Sequence, residues 1–245
     1  FLAEAQRATG GIRMLTILEH RFPFLSKVCA WNGFNRNSGG TLVEKCCRFF
    51  DLMRLILQSE PVRVMASAGQ AVNHLYERYD GAVPDVWDHG FVIVDFDNGA
   101  RAMLELCMFA EGARYQEEIA ALGPLGKIEA LVPGPDRFCP ADLGPPPGPH
   151  PSETPPAPKG PRGTPSAGDP ALLAAGDHNG ATYYQHLRFQ QVVRGATRPD
   201  VTLEDGMKAV LMGLAAQDSA RRGQAVVLDF AALAGDRQAP SGWAM

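Results

Sequence analysis

Residues 89–109 read HGFVIVDFDNGARAMLELCMF, and this stretch decides the fold. Two apolar, β-rich runs flank Asp97-Asn98-Gly99, the residue types that a tight hairpin turn needs where φ is positive. The stretch therefore predicts an antiparallel strand pair. Downstream, YQEEIAALG from Tyr115 and GKIEALV from Gly126 meet at the turn Gly123-Pro124-Leu125-Gly126 and extend the meander. Upstream, VRVMASAGQAV from Val62 reads as a further strand, so residues 62–132 are expected to form a largely antiparallel sheet.

Nearer the N-terminus, IRMLTILEHRF (residues 12–22) mixes apolar and β-branched residues behind a Gly-Gly break and reads as a strand. After the Asn- and Gly-rich loop AWNGFNRNSGG comes GGTLVEKCCRFFDLM (residues 39–53), which predicts a helix from Thr41 to Leu57, closed by the Ser59-Glu60-Pro61 breaker. Within residues 39–53 its surface is apolar except for Glu44, Lys45, Arg48 and Asp51. Each of these sits three or four residues from another, so they share one stripe of a helix. Beyond Pro170, ATYYQHLRFQQVVRG and TLEDGMKAVLMGLAAQDSARRG carry helical periodicity, the second with Thr202 as N-cap and Asp205 three residues on. A last short strand, QAVVLDF, would rejoin the sheet. Strand, helix, strands, two helices and strand make an α+β arrangement: an open, mostly antiparallel or mixed sheet with helices packed on one face.

Residues 133–170 hold well over half of the 20 prolines and almost no aliphatic side chains. Such a segment cannot offset its ordering entropy by burial, and it reads as a solvated, disordered loop with polyproline character. Residues 1–132 and 171–245 are then expected to form one α/β domain around this insert. Hydrophobic content of 45% and charged content of 20% suit a soluble protein, and no apolar run reaches the roughly 18–20 residues of a membrane span. Net charge is −4 with the basic residues scattered, which lacks the footprint of a nucleic-acid binder. The five cysteines are odd in number and form no CxxC pair, arguing against a disulfide framework or structural zinc and for a reducing, cytoplasmic setting. The start, FLAEAQRATGG, lacks a signal peptide's apolar core and reads as the tail of something upstream.

Neither GxGxxG after a strand nor GxxxxGK[ST] is present, and GxSxG, HExxH and an acidic calcium loop are absent as well. Of the six histidines, only His178 and His186 lie near one another in sequence, and their spacing is no metal signature. No metal site is expected.

GGTLVEKCCRFFDLM resembles the stretch after the first strand of the second domain in the Gfo/Idh/MocA oxidoreductases, where Gly-Gly-x-Leu enters a helix of pattern acid-x-small-x-His-x-x-Asp. Glu44, Cys46 and Asp51 match the acid, small and Asp positions, and Arg48 stands at the histidine. EHRFPF, WNGFNRNSGG, YQEEIAALGPLGKIEALVP and DHNGATYYQHLRF extend the resemblance over residues 12–131 and 176–230, toward a sugar- or polyol-acting branch. The resemblance implies the C-terminal domain of such an enzyme. That domain contributes substrate contacts and a sheet through which subunits associate, while a separate Rossmann domain binds NAD or NADP. No cofactor is expected on this chain alone. The catalytic positions fall on Lys45 and Arg48, and the substrate-binding positions on Glu44, Asp51, His178 and Tyr183. A permanently charged Arg48 cannot act as the base that a histidine can be, which leaves Lys45 for that role or makes the chain a non-catalytic binding and assembly module.

Overall fold

The computed structural model describes residues 1–23, 28–110, 112–132, 136–140, 161–165, 171 and 180–230. It opens with helix α1 (Leu2–Thr9) and strand β1 (Met14–His20). A 3-10 turn (Val28–Gly33) leads to the short helices α2 (Asn35–Ser38) and α3 (Thr41–Glu44), then to α4 (Cys47–Leu57). Strands β2 (Pro61–Gly69), β3 (His89–Phe96), β4 (Arg101–Cys107), β5 (Glu117–Gly123) and β6 (Gly126–Val132) follow. Next come β7 (Asp136–Pro140), β8 (Pro161–Pro165), helices α5 (Ala181–Val193) and α6 (Leu203–Arg222), and the two-residue strand β9 (Val226–Val227).

All nine strands join one sheet in the order β8-β7-β6-β5-β1-β4-β3-β2-β9. The β3–β4 hairpin forms as the sequence predicts, with the Phe96 amide donating to the Ala100 carbonyl at 3.0 Å across the Asn98-Gly99 turn. β1 inserts between β4, to which it is parallel, and β5, to which it is antiparallel. The sheet is thus mixed through that one parallel pair. β7 and β8 fall inside the interval 133–170; the sequence reading did not anticipate them, and the other residues of that interval lie outside those described.

Strand alternation sends Leu15 and Ile17 of β1, Ala102, Leu104 and Leu106 of β4, and Val92 and Val94 of β3 to one face. There they bury against Leu42, Phe49, Phe50 and Met53 and against Met212 and Ala216 of α6. At roughly 1.5–3 kcal/mol for each large side chain buried, this layer dominates the stability of the fold. The helix expected to run unbroken from Thr41 to Leu57 is in two pieces. The Lys45 amide closes α3 on the Thr41 carbonyl, and the Phe49 and Phe50 amides begin α4 on the Cys46 carbonyl. Gly213 lets α6 cross tightly over α3, since a Cβ there would lie 2.6 Å from the Leu42 carbonyl oxygen. α6 starts at the expected cap, with the Asp205 amide donating to the Thr202 hydroxyl and the Thr202 amide to the Asp205 carboxylate.

The opposite face carries no helix among the described residues. It combines the exposed apolar side chains of Met14, Met65, Phe91 and Ile93 with the ion pairs Arg63–Asp95–Arg101 and His20–Glu105. No described helix is long and apolar enough to cross a membrane.

Candidate functional site

The alternation that buries Leu15 and Ile17 continues to Glu19, which therefore faces the helices and has no exposed surface. A carboxylate in that position needs cations and donors around it. Lys45, at the junction between α3 and α4, places Nζ 2.7 Å from Glu19 Oε1 and is itself only 8% exposed. Arg48, on the first turn of α4, places Nη2 3.2 Å from Glu19 Oε2 and 2.7 Å from Oε1 of Glu117, the first residue of β5. Arg21 and Gln116 approach Glu19 Oε1 more loosely, at 3.6 and 3.5 Å.

Burial pulls the Lys45 ammonium below its ordinary value, against the raising effect of its bond to Glu19. Glu117 is pushed up, first by burial and further by the neighbouring Glu19, with Arg48 opposing. Burial also raises Cys46 and Cys47, which makes both thiols poor nucleophiles. The cluster thus offers two permanently charged guanidiniums, that of Arg48 40% exposed at the mouth, and one amine shifted toward the range where it can exchange a proton.

Of the sequence-derived residues that are described, the structure brings Lys45 and Arg48 together and sets Glu44, Asp51 and Tyr183 apart. Glu44 is half-buried at the end of α3. Asp51 lies about one turn beyond Arg48 on α4 and faces α6, where Arg54 joins it to Asp205 at 3.4 and 3.2 Å. That end opens into a separate cleft of about 410 Å³ lined by Asp51, Arg54, Glu60, Asp97 and Asp205. Tyr183 is half-exposed on α5, edge-on to Tyr184 at 5.7 Å, and no residue of α5 is buried. His178 lies outside the described residues. The sequence reading missed Glu19, Arg21, Gln116 and Glu117. The available signal was a glutamate in the core-facing phase of a strand otherwise occupied by Leu15 and Ile17. Among the described residues no three His, Cys, Asp or Glu side chains converge on a metal-sized site.

Comparison with known proteins places the fold. The "Oxidoreductase family, C-terminal alpha/beta domain" of the Gfo/Idh/MocA group matches residues 5–129, just over half of the chain. The chain belongs to that family and forms the domain so described. No curated protein matches the sequence. Among solved structures, the aldose-aldose oxidoreductase from Caulobacter crescentus complexed with glycerol is similar at TM-score 0.63 and 20% identity, over 93% of this chain and 59% of that one. A myo-inositol dehydrogenase from Corynebacterium glutamicum is similar at TM-score 0.63 and 18% identity, over 93% and 60%. GenD2 from gentamicin A biosynthesis, in complex with NAD, follows at 0.64 and 18%, over 93% and 58%. At these identities the likeness is one of fold, and the chain spans under two thirds of the length of each.

Proposed function

We propose that this chain is the substrate-binding and subunit-association domain of an NAD(P)-dependent oxidoreductase acting on a sugar, a polyol or a related hydroxy compound. The observation that carries this reading is the convergence of Lys45 and Arg48 on buried Glu19 at the end of β1, open to solvent through Arg48 and Glu117. In this reading Arg48 holds a substrate oxygen by charge-assisted hydrogen bonds. Lys45, held in place by Glu19, exchanges a proton with the substrate hydroxyl. The solvated sheet face, with Met65, Phe91 and Ile93 exposed, is where a second subunit would pack, in a cytoplasmic homo-oligomer.

Family members bind NAD(P), as the GenD2 complex illustrates, and the described residues of this chain do not suit that group. The only parallel pair among them, β1 and β4, is connected through other strands, and no glycine-rich turn joins a strand to a helix as a pyrophosphate cradle requires. The nicotinamide is therefore assigned to a separate nucleotide domain, and this chain's residues bind and orient the substrate.

A thermal-shift panel of sugars, polyols and hydroxy acids tests the reading. At least one compound should raise the melting temperature of the wild type, and Lys45→Met should abolish that rise. A second reading, a non-catalytic binding and assembly module, is favoured by the two carboxylates that engage Arg48 at the position of the family's base. Silence across the panel together with a stable dimer in sedimentation would establish it. Joined to a nucleotide domain, an Arg48→His variant should turn over faster than the wild type. Equal rates would remove Arg48 from the catalytic account.

A further inference from the structure

We infer that the compound taken by this site carries an oxyanion, a carboxylate or a phosphate, beside its hydroxyl groups, and that Arg48 and Arg21 grip it. This rests on the proposal that the Glu19 cluster is the substrate site.

The argument is one of charge and of hydrogen-bond supply. Arg21, Lys45 and Arg48 surround Glu19, with Glu117 as the other carboxylate in contact, so cations outnumber anions by one when all are ionised. Donors outnumber acceptors by a wider margin. Nε of Arg21 is buried with no hydrogen-bond partner, and its nearest approach to Glu19 is the 3.6 Å from Nη1. Arg48 uses only Nη2, for Glu19 and Glu117, and Lys45 spends one of its three protons on Glu19.

Both guanidiniums also rest on aromatic rings. Arg21 Cζ lies 4.4 Å from the centroid of the Phe22 ring and Arg48 Cζ 4.5 Å from that of Phe49. A planar guanidinium fork matches the two oxygens of a carboxylate or phosphate. A neutral hydroxyl would satisfy one donor and leave the excess charge and the Arg21 Nε uncompensated. An oxyanion answers both. A sugar acid or a sugar phosphate fits this chemistry, and a neutral polyol does not.

The test is isothermal titration of the 245-residue chain at fixed ionic strength with D-gluconate, D-glucuronate and D-glucose 6-phosphate, against D-glucose and myo-inositol. An anionic compound should bind at least about tenfold more tightly than its neutral counterpart, and the preference should shrink as salt rises. Arg48→Met should lose most of the preference. Arg48→Lys, which keeps the charge on a native-like surface, should retain part of it, and this variant with the salt series decides the matter if Arg48→Met folds poorly. The sugar acids and the phosphate ester distinguish the two sources of the oxyanion. If myo-inositol or D-glucose binds as tightly as the acids, this inference falls and the proposed function stands. If no member of the panel binds, the proposed function falls with it.

Discussion

Replacing Glu19 by Gln should unfold a measurable part of this protein's stability margin, and the amount follows from the geometry. Glu19 is fully buried and Lys45 nearly so, 2.7 Å apart. Removing one partner of such a pair strands the other charge at a cost of about 3–5 kcal/mol. Lys45 can escape by losing its proton. At roughly 1.4 kcal/mol per pH unit, over the roughly 3.4 units between pH 7 and a free lysine's value, that route caps the loss near 5 kcal/mol. The cap carries a pH signature. Lys45 already sits below its ordinary value, and without Glu19 to raise it the folded-state value drops further. Between that folded value and about 10.4 the unfolded chain holds a proton that the native chain has released, so stability rises with pH across this window. The deficit of Glu19→Gln against the wild type should therefore shrink by up to about 1.4 kcal/mol per unit from pH 7 to 9. Adding Lys45→Met should restore most of what was lost, because no unpaired buried amine remains. Urea unfolding of the wild type, the single variant and the double variant at pH 7, 8 and 9 measures all three quantities. A loss under about 1 kcal/mol, a deficit that does not change with pH, or a double variant no more stable than the single one would refute the argument.

Gly213→Ala should cost about 1–3 kcal/mol and lower Tm by several degrees, because the new methyl would sit 2.6 Å from the Leu42 carbonyl oxygen, which is backbone and cannot swing aside. Thr202→Ala should cost about 1 kcal/mol by opening the cap of α6, read by chemical denaturation. The Thr202 hydroxyl and amide, with Arg54, hold the Asp205 carboxyl down at about 2. Its contribution is therefore present above the unfolded value of about 3.9 and is lost as pH falls toward 2, and Asp205→Asn should flatten that limb of the acid transition. Glu117 is shifted the other way by burial, so ionising it weakens the fold as pH rises through and above its unfolded value. Glu117→Gln, which keeps an acceptor for Arg48, should be more stable than the wild type at pH 7 and equal to it below about pH 4.

The sheet and its hairpins were legible in the sequence because their signals are local. Asp97-Asn98-Gly99 and Gly123-Pro124-Leu125-Gly126 turn the chain within a few residues, and alternation states which side chains share a face. The charged residues of the helix behind Gly39-Gly40 were legible as a set, but as one stripe on a continuous helix. The break falls between Lys45 and Arg48, which nevertheless meet at Glu19 of β1, while Asp51, one turn beyond Arg48 on α4, is joined through Arg54 to Asp205 of α6.

By itself the sequence determined the α+β class, the hairpin pairs β3–β4 and β5–β6 though not the insertion of β1 that parts them, the cap of α6 and the membership of Lys45 and Arg48 in one patch. Each depends on residues close together in the chain. Only the tertiary structure decided what that patch touches. Arg48 meets Glu19 across 29 residues and Glu117 across 69, and both meetings depend on β1 inserting between β4 and β5. Which strands become neighbours is set by burial of the whole apolar layer. A carboxylate that reads as one more glutamate in EHRFPF becomes the buried partner of Lys45 and Arg48 only once that layer has closed.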